Sequence, residues 1–158
     1  MIVDVVRDVV AKTPRSVNLS AKTEYACIAV LELAARRQVG EPVRIREIAE
    51  RQGVPPRFLV QILLQLKSAG VVVSTRGAAG GYQLARKPED VTLGEVMAVM
   101  EGPAAEAKTG ASVSTPITRV LGAAWRRVDD AQRRMLDEIT FADLVEEMRG
   151  QADSMYYI

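Results

Sequence analysis

The sequence predicts a mainly α-helical fold with a small β wing and a long C-terminal helix, and three observations carry that reading. Between Val43 and Ala69, two apolar helical patterns are split by Gln52-Gly53-Val54-Pro55-Pro56. Directly after them, the β-branched run Val71-Val72-Val73 leads into Arg76-Gly77-Ala78-Ala79-Gly80-Gly81, whose glycines permit the chain to turn back through Tyr82. From Ile117 to Met135, apolar residues recur at alternating spacings of four and three. The first two spell a winged helix-turn-helix domain. The third spells a dimerisation helix.

Residues 1–18 hold the apolar pairs Ile2-Val3, Val5-Val6 and Val9-Val10. Two readings of them stay open, a packed extension or residues ahead of the working start. The winged domain occupies 19–102. Its first helix runs from Leu19 to Arg37, with Ser20 as N-cap and Arg36-Arg37 complementing the C-terminal dipole. Apolar Ile45, Ile48 and Ala49 mark the second helix. Phe58, Leu59, Ile62, Leu63 and Leu66 mark the third, with Pro56 in its first turn, where a missing N–H removes nothing. After the wing, Thr92-Leu-Gly-Glu95 reads as a capping box with Val91 and Val96 as its staple, opening a helix to about Met100 that Gly102-Pro103 stops.

Residues 103–116 are small, polar and unpatterned, as expected of a loop. Pro116, capped by Thr115, opens the long helix to about Glu138, with a seam of Ile117, Leu121, Ala124, Val128, Ala131 and Met135 that Val120 and Leu136 widen. The winged domain is too small to cover this stripe, so a second subunit is expected on it. Thr140-Phe-Ala-Asp143 is another capping pattern, predicting a short helix through Met148, with Gly150 as its stop. The second unit is thus 117–150, and 151–158 is left as a tail.

Composition narrows the function. No apolar run approaches membrane-spanning length, and Asp4 and Asp8 stand where a signal peptide would be basic, so a cytoplasmic location is expected. One cysteine, Cys27, and no histidine leave no material within a chain for a disulfide, a usual zinc site or histidine-based catalysis. No catalytic residue, metal or other cofactor is expected, and the chain is not expected to be an enzyme. The net charge of +1 conceals a segregation. From Arg44 to Lys87, eight Arg or Lys stand against Glu47 and Glu50, a balance of +6; from Pro88 onward the balance is −6. The basic segment coincides with the winged domain, the footprint expected of a nucleic-acid binder.

The ordered segments Leu19-Ser-x-Lys-Thr-x-Tyr-Ala26, Ile45-x-Glu-Ile-Ala-Glu50, Phe58-Leu-x-Gln-Ile-Leu63, Leu66-Lys-Ser-Ala-Gly70, Arg76-Gly-x-x-Gly-Gly-Tyr82, Thr92-Leu-Gly-Glu-Val96 and Glu101-Gly-Pro103 resemble the Rrf2 family of bacterial winged-helix transcription regulators. The resemblance covers Leu19 to about Met148. It implies homodimers that cross their long helices and bind partly palindromic double-stranded DNA. Many members hold an iron-sulfur cluster on three cysteines in the loop before the long helix. Here that loop, 103–116, has none, so no cluster is expected. Kinship is then with the cluster-free members, among them repressors of cysteine metabolism. The ending Met155-Tyr156-Tyr157-Ile158 is similar to the tails by which such repressors and serine acetyltransferase enter the active site of cysteine synthase (O-acetylserine sulfhydrylase). That enzyme is therefore an expected partner, with O-acetylserine as competitor.

For DNA, the N-terminal half of the second helix of the pair faces the bases, which selects Arg57 and Gln61, four apart on one face. Arginine bonds guanine O6 and N7, and glutamine bonds adenine N6 and N7. Lys67 and Lys22 are expected on phosphates, and Arg76, with Gly77 and Gly80, forms a wing tip for the minor groove. Two positions depart from the family pattern. Val60 stands where many members have a base-reading glutamate, and Pro55 replaces a frequent serine. Two other readings remain: a thiol or small-molecule sensor acting through Cys27 or the dimer cleft, and an interaction module that mainly modulates an enzyme.

Overall fold

A computed structural model describes residues 19–102 and 112–156. Its elements are α1 (Ala21–Arg36), α2 (Ile45–Gln52), α3 (Pro56–Ser68), β1 (Val72–Thr75), β2 (Gly81–Leu84), α4 (Leu93–Glu101), α5 (Pro116–Glu138) and α6 (Phe141–Met155), with short 3-10 turns at Arg37–Val39 and Pro88–Asp90. Among the described residues it is mainly helical, with one small sheet. Residues 1–18, most of the 103–116 loop, Tyr157 and Ile158 lie outside the described residues.

The core forms where three helices turn their apolar faces together. α1 buries Ala26, Ala29, Val30 and Leu33, and α3 buries Leu59, Ile62, Leu63 and Leu66. Val71, Val72 and Leu84 close it from the wing. From the far end of the chain, α6 returns Phe141, fully buried, and Val145 to the same core. Thr92 and Thr140 form a bridge there, and the Phe141 N–H donates to the Val91 carbonyl at 2.9 Å. The start of α6 is thus fastened beside the start of α4.

Local capping follows the residues. Ser20, Thr92, Thr115 and Thr140 each accept from the backbone N–H three residues on. Thr140 and Asp143 complete a reciprocal box, and hydrogen bonds from Thr140 hold the Asp143 carboxyl below its ordinary range. The box expected at Thr92 is only half made. Glu95 turns away and pairs with Arg86 instead, because a guanidinium lies within reach and outcompetes a single amide.

A second difference lies at the C-terminus. The expected stop at Gly150 is absent, and α6 continues to Met155. Gly150 is not in the left-handed conformation that ends a helix, and the Ser154 hydroxyl donates to its carbonyl at 3.0 Å, inside a continuing helix. Residues 151–155 are therefore helical rather than a loose tether. Among the described residues, no helix is long and apolar enough to cross a membrane.

Candidate nucleic-acid interface

α2 and α3 meet at a tight turn. Gly53, at φ 66°, closes α2, and Pro55 precedes α3 in an extended conformation, with Pro56 in the first helical turn. Leu59, Ile62, Leu63 and Leu66 point inward, which leaves Arg57, Val60, Gln61 and Leu64 exposed on the opposite side. Arg57 and Gln61 do share that exposed face. The Arg57 guanidinium lies 5.0 Å from the centre of the Phe58 ring, and Phe58 leans on Tyr25 of α1 with ring centres 6.0 Å apart. A cation resting on an aromatic face keeps its charge and donors while losing some of its conformational freedom.

The wing stands beside this helix. β1 and β2 pair antiparallel from Val72 with Leu84 to Thr75 with Gly81. Val43, just before α2, bridges to Tyr82 through two hydrogen bonds of 2.9 and 2.8 Å, an isolated bridge on the other edge of β2. Gly81 allows that approach: it has φ 152°, and a Cβ there would lie 2.5 Å from the Val43 carbonyl oxygen. Gly77, at φ 104°, sits in the open at the tip, whereas Gly80 is buried in the turn against the Thr75 carbonyl. Gly80 is therefore placed to close the tip rather than to lie on its surface. Arg76 is exposed beside it.

Partners sort the basic residues into two groups. Arg46 pairs with Glu50 at 2.8 Å, Arg51 with Glu32 at 3.4 Å and Arg36 with Glu47 at 3.5 Å, so carboxylates neutralise them. The side-chain contacts of Arg44, Arg57 and Lys67 are neutral. Arg44 donates to the Ala78 carbonyl at the wing tip, and Lys67 donates to the Ser74 hydroxyl of β1 at 2.6 Å. Arg76 makes no ion pair among the described residues. Positive charge is thus left uncancelled along α3 and the wing. Lys22 is half-buried on the first turn of α1, near Glu101.

Arg44 is the residue that sequence reasoning missed. It counted toward the basic balance, but its bond to Ala78 joins residues far apart in sequence, and no local pattern announces it. It braces the wing against the start of α2.

The long helix α5 lies beside α4 at its C-terminal end, with Asp137 against Gly94, and exposes most of its length. Of its 23 residues only Gly122 is buried, and the seam is open: Ile117 is 72% exposed, and Leu121, Val128 and Met135 are exposed as well. Ala124 and Ala131 are exposed on the same run. At the end of α6, Met155 is 78% and Tyr156 is 91% exposed. Cys27 is half-buried in α1, and burial, with the nearby Glu24 carboxylate, pushes its thiol up to about 11.

Comparison with known proteins agrees with this geometry. A family model described as Rrf2, iron-dependent transcriptional regulator, matches residues 19–147. The HTH-type transcriptional regulator CymR of Bacillus subtilis (strain 168) is 33% identical over 142 residues, spanning 89% of this chain and 99% of that protein. The structure of the B. subtilis protein, described as CymR (YrzC), the global cysteine regulator, matches with a TM-score of 0.72 and 32% identity, over 83% of this chain and 98% of that one. IscR of T. potens matches with a TM-score of 0.67 and 32% identity, over 84% and 89% of the two chains. With its helix pair, wing and uncancelled basic face, the chain belongs to the Rrf2 family of winged-helix, DNA-binding transcription regulators.

Proposed function

We propose that this regulator is a homodimeric repressor of sulfur and cysteine metabolism genes that works without an iron-sulfur cluster. The observation that supports its DNA mechanism is that exposed Arg57 and Gln61 on α3, Lys67 near its end and Arg76 of the wing keep their charge or hydrogen-bonding groups uncommitted to carboxylates. In this reading α3 enters the major groove, where Arg57 reads guanine and Gln61 reads adenine. Lys67 and Lys22 hold phosphates, and Arg76, on the tip closed by Gly77 and Gly80, enters the minor groove. A second copy covers Ile117, Leu121, Ala124, Val128, Ala131 and Met135, and sets two α3 helices about 34 Å apart, one turn of DNA.

The sequence supports the cluster-free mode, since 103–116 holds no cysteine and Cys27 lies in α1. A cluster needs several thiolates. The similarity to a global cysteine regulator supports the regulon. α6 supports a role for the tail, because the helix extends to Met155 and leaves Met155 and Tyr156 exposed. Cysteine synthase is the proposed partner, bound through Met155, Tyr156, Tyr157 and Ile158 and released by O-acetylserine. A sensing role for Cys27 is disfavoured by its raised pKa, which keeps it a thiol at neutral pH.

Calorimetric titration of cysteine synthase tests the partner. The intact chain should bind and a chain ending at Ser154 should not, with O-acetylserine competing. Binding by both forms, or by neither, removes the tail from the account. An Arg57→Ala, Arg76→Ala double variant should lose DNA and keep the enzyme; enzyme binding kept with DNA binding that is weak in the wild type and unchanged in the variant would favour a module that chiefly modulates the enzyme.

A further inference from the structure

The exposed face of α3 holds a residue that neither charge nor hydrogen bonding explains. Val60 is 41% exposed, between Arg57 one turn earlier and Leu64 one turn later, and beside Gln61. The core does not use it, since Leu59, Ile62, Leu63 and Leu66 fill the inward face. The helix gains nothing from it either, because a β-branched side chain is a poorer helix former than the alanine, lysine or glutamine that an exposed position accepts. It lies in the first half of α3, on the exposed side of the helix that also carries Arg57 and Gln61. In the major groove the distinctive apolar group on a base edge is the thymine 5-methyl. The geometry points to Val60 as a specificity-determining residue that packs its two methyls on a thymine methyl next to the bases read by Arg57 and Gln61.

This rests on the reading of α3 as the groove-entering helix and adds a base to it. Arginine selects guanine and glutamine selects adenine, so valine supplies the thymine in the same half-site. The contact also excludes alternatives, since cytosine would place its amino group against an apolar surface that offers it no acceptor.

Duplexes recovered by the full chain from a random-sequence pool provide the test, with each thymine of the recovered site replaced in turn by deoxyuridine. That change removes the methyl and keeps every base pair and hydrogen-bonding group. At one thymine per half-site, uridine should weaken wild-type binding about fourfold, the effect of losing one buried methyl. A Val60→Ala chain should bind the thymine and uridine duplexes equally well. If no uridine weakens the wild type, the contact does not exist. If uridine weakens both proteins alike, the methyl acts through DNA shape and Val60 is not its reader. The underlying reading fails differently: no duplex is recovered, or Arg57→Ala binds as tightly as the wild type.

Discussion

Glu101 shows how much a single side chain can organise. It is the last residue of α4, at the entrance to the 103–116 loop, and it accepts hydrogen bonds from the hydroxyls of Ser20, at 2.6 Å, and of Thr23. Thr23 is fully buried, so without Glu101 its hydroxyl would depend on Ser20 alone. The two hydroxyls hold the Glu101 carboxyl below its ordinary 4.5. A carboxylate depressed in the folded state adds stability that is complete above its unfolded value and is lost as pH falls through the folded value. Glu47, held down by the Arg44 N–H, and Asp143, held down by Thr140, act with the same sign. The melting temperature should therefore be flat above about pH 5 and fall below it. Glu101→Gln should melt lower at pH 7 and fall less steeply in acid. Thermal melts from pH 3 to 7 decide this, and an acid slope identical to the wild type would contradict the assigned role.

At the scale of the element, α5 is a helix whose apolar stripe the rest of the chain leaves open. Its capping supports the start, with Thr115 and Thr118 satisfying each other's backbone groups, but a stripe from Ile117 to Met135 in water has no stabilising partner within the described residues. Leu121→Asp should convert a dimer into a monomer at micromolar concentration, visible by sedimentation velocity, with little loss of helical signal. An unchanged sedimentation coefficient would remove α5 from the interface. This element was legible in the sequence because caps and heptad spacing are local features, and Thr115, Pro116 and Glu138 mark its limits. The second half of α6 was not. Glycine within a helix costs only about 1 kcal/mol, so Gly150 is a weak stop, and its backbone conformation is not written in neighbouring residues. For the same reason the half-made box at Thr92 was hidden, since Glu95 chose between a nearby amide and the side chain of Arg86, nine residues away. Of the candidate interface, the exposure of Arg57 and Gln61 on one face of α3 was legible in the sequence. The bracing of the wing by Arg44, and that of Lys67 on Ser74, required the folded chain.

For the whole molecule, the charge segregation becomes a division of labour. The +6 segment from Arg44 to Lys87 contains α2, α3 and the wing, and the −6 remainder from Pro88 onward contains α4, α5 and α6. Carboxylates cancel the arginines on α1 and α2, while those on α3 and the wing tip keep their field, so DNA should meet that side of the domain. Association should weaken steeply with salt as phosphate contacts release counterions. The most direct test is fluorescence anisotropy of a recovered duplex titrated with the wild type, Arg57→Ala and Arg76→Ala at several salt concentrations. Arg57→Ala should bind about 10- to 100-fold more weakly and lose preference at one base pair, while Arg76→Ala should weaken binding across sequences and lower the salt slope by about one. Two variants that bind the duplex with the affinity, specificity and salt dependence of the wild type would show that α3 and the wing are not the DNA-reading surface.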